Sequence, residues 1–200
     1  PDFPLQPPAG RSGRPETARQ SYSIDAVNEF DPILDLMYDY AEEMELDVDT
    51  LIHEVHPKAK TTNPISACKA ALAALGLRRI ALVTPYPEDV TVEMQANLQA
   101  AGFETTAVAT FGQSDDFIVA RITADSILNA VMQIGARDDC DGVFVACTSL
   151  RALQVIPEAE AALGKSVISS NQALAWHMMR LAGLDDRPEG TGRLFSANLT

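Results

Sequence analysis

The chain has 200 residues, 46% hydrophobic and 22% charged, a balance that suits a globular domain with an appendage and argues against wholesale disorder. Its net charge of −13, from 15 basic and 28 acidic residues, speaks against a nucleic-acid partner, because Lys and Arg must replace the counterions condensed on a phosphate backbone. No apolar run approaches the roughly 18 residues needed to span a bilayer and no apolar leader opens the chain, so neither a membrane protein nor an intact secretory precursor is expected.

Residues 1–23 are rich in Pro, Gly, Arg and Ser without apolar periodicity, and predict an irregular, extended segment. From Ile24 to Leu46 the pattern turns helical: Phe30, Ile33, Leu34, Met37, Tyr38 and Ala41 recur at spacings of three and four, behind an Asp31 N-cap and Pro32. The apolar run Val48–Val55 predicts a short strand ended by Pro57. His53 and His56 then share that strand and its exit, but no third ligand stands at a spacing that would complete a metal site. The first 57 residues hold 3 basic and 13 acidic groups, against 12 and 15 in residues 58–200. That shift predicts two units of different origin, 1–57 and 58–200.

From Lys58 onward helices and strands alternate. Helices are expected at Pro64–Leu75, Glu88–Ala101, Ser126–Ile134, Leu150–Leu163 and Gln172–Ala182, with Gly76, Gly102, Gly135, Gly164 and Gly183 as their stops. Strands are expected at Ile80–Val83, Phe103–Thr110, Val143–Ala146 and Val167–Ser169. Four short apolar strands separated by helices predict an α/β fold: a parallel four-stranded sheet with flanking helices and right-handed crossovers. Ligands of such sheets bind outside the carboxyl ends of the strands. Thr84 and Tyr86, Cys147, Thr148 and Ser149, and Ser170 and Asn171 stand at those ends.

The three cysteines, Cys68, Cys140 and Cys147, include no CxxC pair. An odd number argues against a disulfide framework or a zinc site, and predicts a reducing, cytoplasmic setting. Cys68 sits within a helix and reads as a packed core thiol. Cys140 precedes its strand and so belongs at the opposite end of the sheet from Cys147. Cys147 stands where a strand hands over to a helix, whose unpaired N–H groups and positive dipole end would favour a thiolate. The same N–H groups, with the Thr148 and Ser149 hydroxyls, offer a cradle for a substrate carboxylate. The alternative is a small buried hydrophobe at a strand end. Arg151 is placed either to pair with a substrate carboxylate or in a surface ion pair. Asp115-Asp116 reads as a helix cap or a solvated turn, and His177, beside Trp176, as packing or surface.

The runs RIALVTPY (Arg79–Tyr86), Asp115-Asp116, ARI (Ala120–Ile122), VFVACTSLRA and VISSNQALAWHMMRLAGL resemble the C-terminal half of the maleate cis-trans isomerase family, which includes ectoine-utilisation proteins within the aspartate/glutamate racemase superfamily. The resemblance covers roughly residues 59–195. It implies half of a racemase-like fold and a cofactor-independent isomerase acting on a small dicarboxylic acid such as maleate, with no metal. It implies that Cys147 is the second of two catalytic cysteines, that Tyr86 lines the active site, and that Asn171 lies beside it. Thr84, Thr148, Ser149 and Ser170 complete the substrate-binding set. No cysteine lies upstream of residue 59, so the two-cysteine chemistry of that family is expected to be impaired here.

Pro7–Val55 resembles an internal piece of glutamine synthetase, with Glu54 matching one metal-ligating glutamate. The other ligands and the nucleotide site are absent, and one carboxylate does not hold magnesium alone. Two alternatives to the isomerase follow: a non-catalytic half-domain that binds a small acid or self-associates, and a glutamate–ammonia ligase remnant. An uncovered sheet face predicts a homo-oligomer.

Overall fold

The computed structural model describes residues 48–199. The chain divides into two units, Pro1–Ala59 and Lys60–Thr200. The expected arm at 1–23 and the helix at Ile24–Leu46 lie outside the described residues. In the first unit Val48–Val55 forms a helix, α1, where a strand was expected. The correction has a simple source: Val48, Leu51, Ile52 and Val55 fall at i, i+3, i+4 and i+7, which is a helical stripe. His53 is exposed on α1, its Nδ1 2.7 Å from the Asp49 carbonyl and its Nε2 3.0 Å from that of Ala59. Among the described residues no three His, Cys, Asp or Glu converge as a metal-binding group.

The second unit starts with α2, Pro64–Ala74. Asn63 caps it, accepting the Ser66 N–H at 2.9 Å, and Pro64 takes the first-turn position, where its missing N–H costs nothing. Four strands follow: β1 (Arg79–Thr84), β2 (Glu104–Thr110), β3 (Gly142–Val145) and β4 (Ser166–Ser169). They pair in parallel in the order β2-β1-β3-β4. Between them run α3 (Glu88–Ala100), α4 (Asp116–Val119), α5 (Ala124–Gly135) and α6 (Ile156–Leu163), and α7 (Ser170–Leu181) follows β4. The α/β class and the parallel four-stranded sheet are therefore as expected.

β1, β3 and β4 are buried along nearly their whole length because both faces of the sheet are covered there, whereas the edge strand β2 is partly exposed. Ile80 and Leu82, Phe144 and Ile168 point to one face, where α2, α3 and α7 supply Leu72, Leu98 and Trp176. Ala81 and Val83, Val143 and Val145, and Val167 point to the other, against Ile127, Val131 and Ile156 from α5 and α6. Each fully buried large side chain in these two layers contributes about 1.5–3 kcal/mol. At the centre Leu82 registers with Phe144, and Phe144 with Ile168. Gly142 permits this spacing: a Cβ there would stand 2.7 Å from the Ser166 carbonyl oxygen and 2.8 Å from Leu77.

Two connections depart from expectation. The helix expected at Leu150–Leu163 is a 3₁₀ turn at Leu153–Val155 followed by α6 from Ile156. Pro157 explains this, since proline is tolerated in a first turn but within a longer helix would clash with the carbonyl four residues back. Near the C-terminus a second 3₁₀ turn, Arg193–Ser196, is fastened beneath α7. The Trp176 indole donates to the Ala197 carbonyl at 3.1 Å, and the buried Arg180 guanidinium donates to Phe195 and Leu184 carbonyls at 2.7 Å. Among the described residues no helix is long and apolar enough to cross a membrane.

Candidate functional site

Connections leave β1 in one direction over one face and return over the other, so β1 and β3 flank the topological switch point of the sheet, and sheets of this kind bind ligands outside the carboxyl ends there. Thr84 ends β1, and Cys147 lies two residues past the end of β3. One ladder bond continues past β3, from the Ala146 N–H to the Val83 carbonyl at 2.8 Å. The next residue breaks away. Cys147 has φ of +95°, the one non-glycine positive φ among the described residues. A side chain in that region costs about 1–3 kcal/mol and persists only where neighbours enforce it.

The neighbours are visible. The Cys147 N–H donates to Ser170 Oγ at 3.1 Å, and the Ser149 N–H donates to Cys147 Sγ at 3.3 Å. Asn171 Nδ2 donates to the Thr148 carbonyl at 2.7 Å. The helix dipole expected at Cys147 is not there, because α6 begins only at Ile156. The turn itself supplies an N–H to the sulfur instead. Cys147 is 6% exposed, at the floor of the site rather than its rim.

Tyr86 approaches from the loop after β1. Its N–H donates to Thr84 Oγ1 at 3.3 Å, and its carbonyl accepts from the hydroxyls of Thr91, at 3.4 Å, and Thr110. The phenol neighbours the Cys147 thiol and Asp116. Burial first, then these two neighbours, push its pKa well above the ordinary phenol range. Tyr86 therefore stays protonated at neutral pH and can donate a hydrogen bond. Asp115 caps the short α4 by accepting the Phe117 N–H at 2.8 Å, which sets Asp116 beside this group.

Of the seven residues expected at the site, Cys147, Tyr86, Thr148, Ser149, Ser170 and Asn171 come together. Thr84 is fully buried and Ser170 is 5% exposed, and each hydroxyl oxygen is taken by a backbone N–H, so both lie beneath the site rather than in its mouth. Cys68 joins from below, its Sγ 3.9 Å from Ser170 Oγ, and burial pushes it up to about 12. Sequence reading missed Thr91 and Thr110, whose hydroxyls bond the Tyr86 carbonyl; no local pattern marked them. Arg151 is exposed. His177 lies with Nδ1 2.7 Å from Thr62 Oγ1 and stacks on Trp176, a packing role.

Fold and site together define a doubly wound α/β protein with a thiol at its switch point. The chain matches the arylmalonate decarboxylase family over residues 48–195, and it belongs to that family. It is 36% identical over 137 residues to the arylmalonate decarboxylase of Bordetella bronchiseptica, 67% of this chain and 57% of that protein. Unliganded arylmalonate decarboxylase superposes with a TM-score of 0.61 at 34% identity, covering 66% of this chain and 59% of that one. A cysteine-to-serine mutant of Nocardia farcinica maleate cis-trans isomerase with a covalently bound succinylcysteine intermediate gives a TM-score of 0.70 at 25% identity, covering 74% and 60%. The chain thus spans less than two thirds of these relatives.

Proposed function

We propose that residues 60–200 carry the thiol half of an active site for a small dicarboxylic acid, an arylmalonate or maleate. The observation that carries this reading is the left-handed Cys147 at the switch point, its sulfur accepting the Ser149 N–H, with the Tyr86 phenol nearby. Such strain at a ligand crevice is kept where a side chain must be aimed.

A single thiol there suits two reactions. In decarboxylation the electrons of the breaking C–C bond pass to the α-carbon, carbon dioxide leaves, and the Cys147 S–H protonates the carbanion; water then reprotonates the sulfur. In isomerisation the thiolate adds to the double bond, the adduct rotates about the resulting single bond, and elimination restores the thiolate. Neither reaction calls for a metal or cofactor, and Tyr86 would orient the acid and donate to the charge developing on it. Thr148 and Ser149 would offer a carboxylate cradle, with Asn171 fixing their turn. Two-cysteine proton exchange has no partner thiol here: Cys68 is in the core and Cys140 lies at the other end of the sheet.

The test is turnover of phenylmalonate (carbon dioxide release) and maleate (loss of the cis alkene signal) by the full chain and by Cys147→Ser. Loss in the variant supports the reading; equal rates would overturn it. A second reading, a binding half-domain that self-associates, is favoured by the exposure of Phe117 (75%) and Val92 (55%). Acid binding without turnover, together with a dimer in sedimentation velocity, would select it.

A further inference from the structure

We propose that Ser170 is a positioning residue whose buried hydroxyl oxygen holds the Cys147 backbone left-handed, and so sets where the thiol points. This rests on the reading of Cys147 given above and departs from the substrate-contact role that the sequence suggests for Ser170. A residue with a Cβ does not remain at positive φ unaided, so some contact must select it. The ladder between β1 and β3 gives its last bond to Ala146, and the next N–H, that of Cys147, turns down to Ser170 Oγ at 3.1 Å. With 5% of its surface exposed, Ser170 offers its oxygen to the interior and not to a ligand. Below it the Cys68 thiol, buried in the core, stands 3.9 Å from its oxygen.

Ser170 is itself held firmly. It is the first residue of α7, whose start is locked by a capping box: the Gln172 N–H donates to Ser169 Oγ at 3.3 Å, and the Ser169 N–H donates to Gln172 Oε1 at 3.2 Å. Gln172 Nε2 also donates to the Thr191 carbonyl. The adjacent Asn171 grips the Thr148 carbonyl, so two consecutive residues of α7 fix the turn on both sides of the Cys147–Thr148 peptide. With the turn fixed, the Ser149 N–H faces Sγ. Without the Ser170 oxygen, Cys147 would relax toward negative φ and swing its sulfur away from that donor.

The experiment compares the full chain with Ser170→Ala, Ser170→Thr and Ser170→Val, with Cys68→Ala as a packing control. The readouts are amide hydrogen exchange at Cys147 and Ala146, and kcat against KM. Removing the oxygen should speed Cys147 amide exchange about tenfold or more while Ala146 stays protected. It should also lower kcat about tenfold with KM unchanged, the signature of a misaimed reacting group. Threonine, which keeps the oxygen, should restore both; valine, of the same shape, should not. That isosteric pair decides the matter even if the alanine variant fails to fold. Unchanged Cys147 exchange in the valine variant, equal loss of protection at Ala146, or the same losses in Cys68→Ala would overturn the proposal. Exchange requires no turnover, so inactivity of the parent chain would count against the enzymatic reading and leave this one to stand or fall by its own measurement.

Discussion

At the amino ends of the strands Cys140 is 3% exposed, and at the carboxyl ends Cys147 is 6% exposed, yet the two thiols live in opposite surroundings. Around Cys140 everything is paired. Its sulfur faces the carbonyls of Gly135 and Arg137 at the end of α5, and Lys165 Nζ donates both to the same Gly135 carbonyl, at 2.9 Å, and to the sulfur, at 3.5 Å. Beside it Asp141 accepts the Arg79 N–H at 2.9 Å and the Arg79 guanidinium at 2.7 Å. Here polar groups satisfy the orphan carbonyls of a helix end and tie strands together. Around Cys147 the backbone is strained, the sulfur accepts from an N–H, and a phenol held in its protonated form stands alongside. Burial therefore does not separate the two thiols, and neither does a donor on the sulfur, since each accepts one. The left-handed backbone at Cys147 does.

Substitutions at the two ends should break this comparison or sharpen it. Largest is the thiol exchange: Cys147→Ser should lower turnover about 10²–10⁴-fold, the usual size of a lost acid–base group, while Cys140→Ser changes it less than about twofold. Steady-state rates on phenylmalonate and maleate measure both, and parity between the two variants would erase the distinction. Tyr86→Phe should follow, with a loss of about tenfold, since it removes one donor and leaves the packed ring. An unchanged rate would reduce Tyr86 to a wall of the site.

Toward the amino end the expected effects fall on stability. Gly142→Ala forces a methyl against the Ser166 carbonyl and should cost about 1–3 kcal/mol in urea unfolding, with turnover per folded molecule unaltered. The smallest effect is electrostatic. The Arg79 N–H and then the Arg79 side chain hold Asp141 below the usual carboxylate range. A depressed carboxylate stabilises the fold above its unfolded pKa, near 3.9, and that contribution disappears as pH falls through the lower folded value. Asp141→Asn should therefore melt below the parent at neutral pH, with the gap closing below about pH 4. A gap independent of pH would assign the effect to packing.

Much of the fold was legible along the chain. The runs around Leu82, Phe144 and Ile168 read as buried strands because a sheet covered on both faces needs no polar alternation, and Gly76, Gly102 and Gly164 marked helix ends. Two local readings missed for local reasons: the helical spacing within Val48–Val55, and Pro157 inside an expected helix. At the candidate site, strand-end logic and family motifs pointed to Cys147 and Tyr86. They did not find what aims them.

The sequence by itself determined the parallel sheet and which residues end its strands, because apolar period and turn residues act over a few neighbours. Only the tertiary structure decided that Cys147 is left-handed, that its amide rests on Ser170, 23 residues along the chain, and that a Tyr86 braced by Thr110 neighbours it. Those contacts join strand ends that the fold makes adjacent. No local pattern encodes which hydroxyl will lie beneath which amide; that follows from how α7 packs once both faces of the sheet are covered.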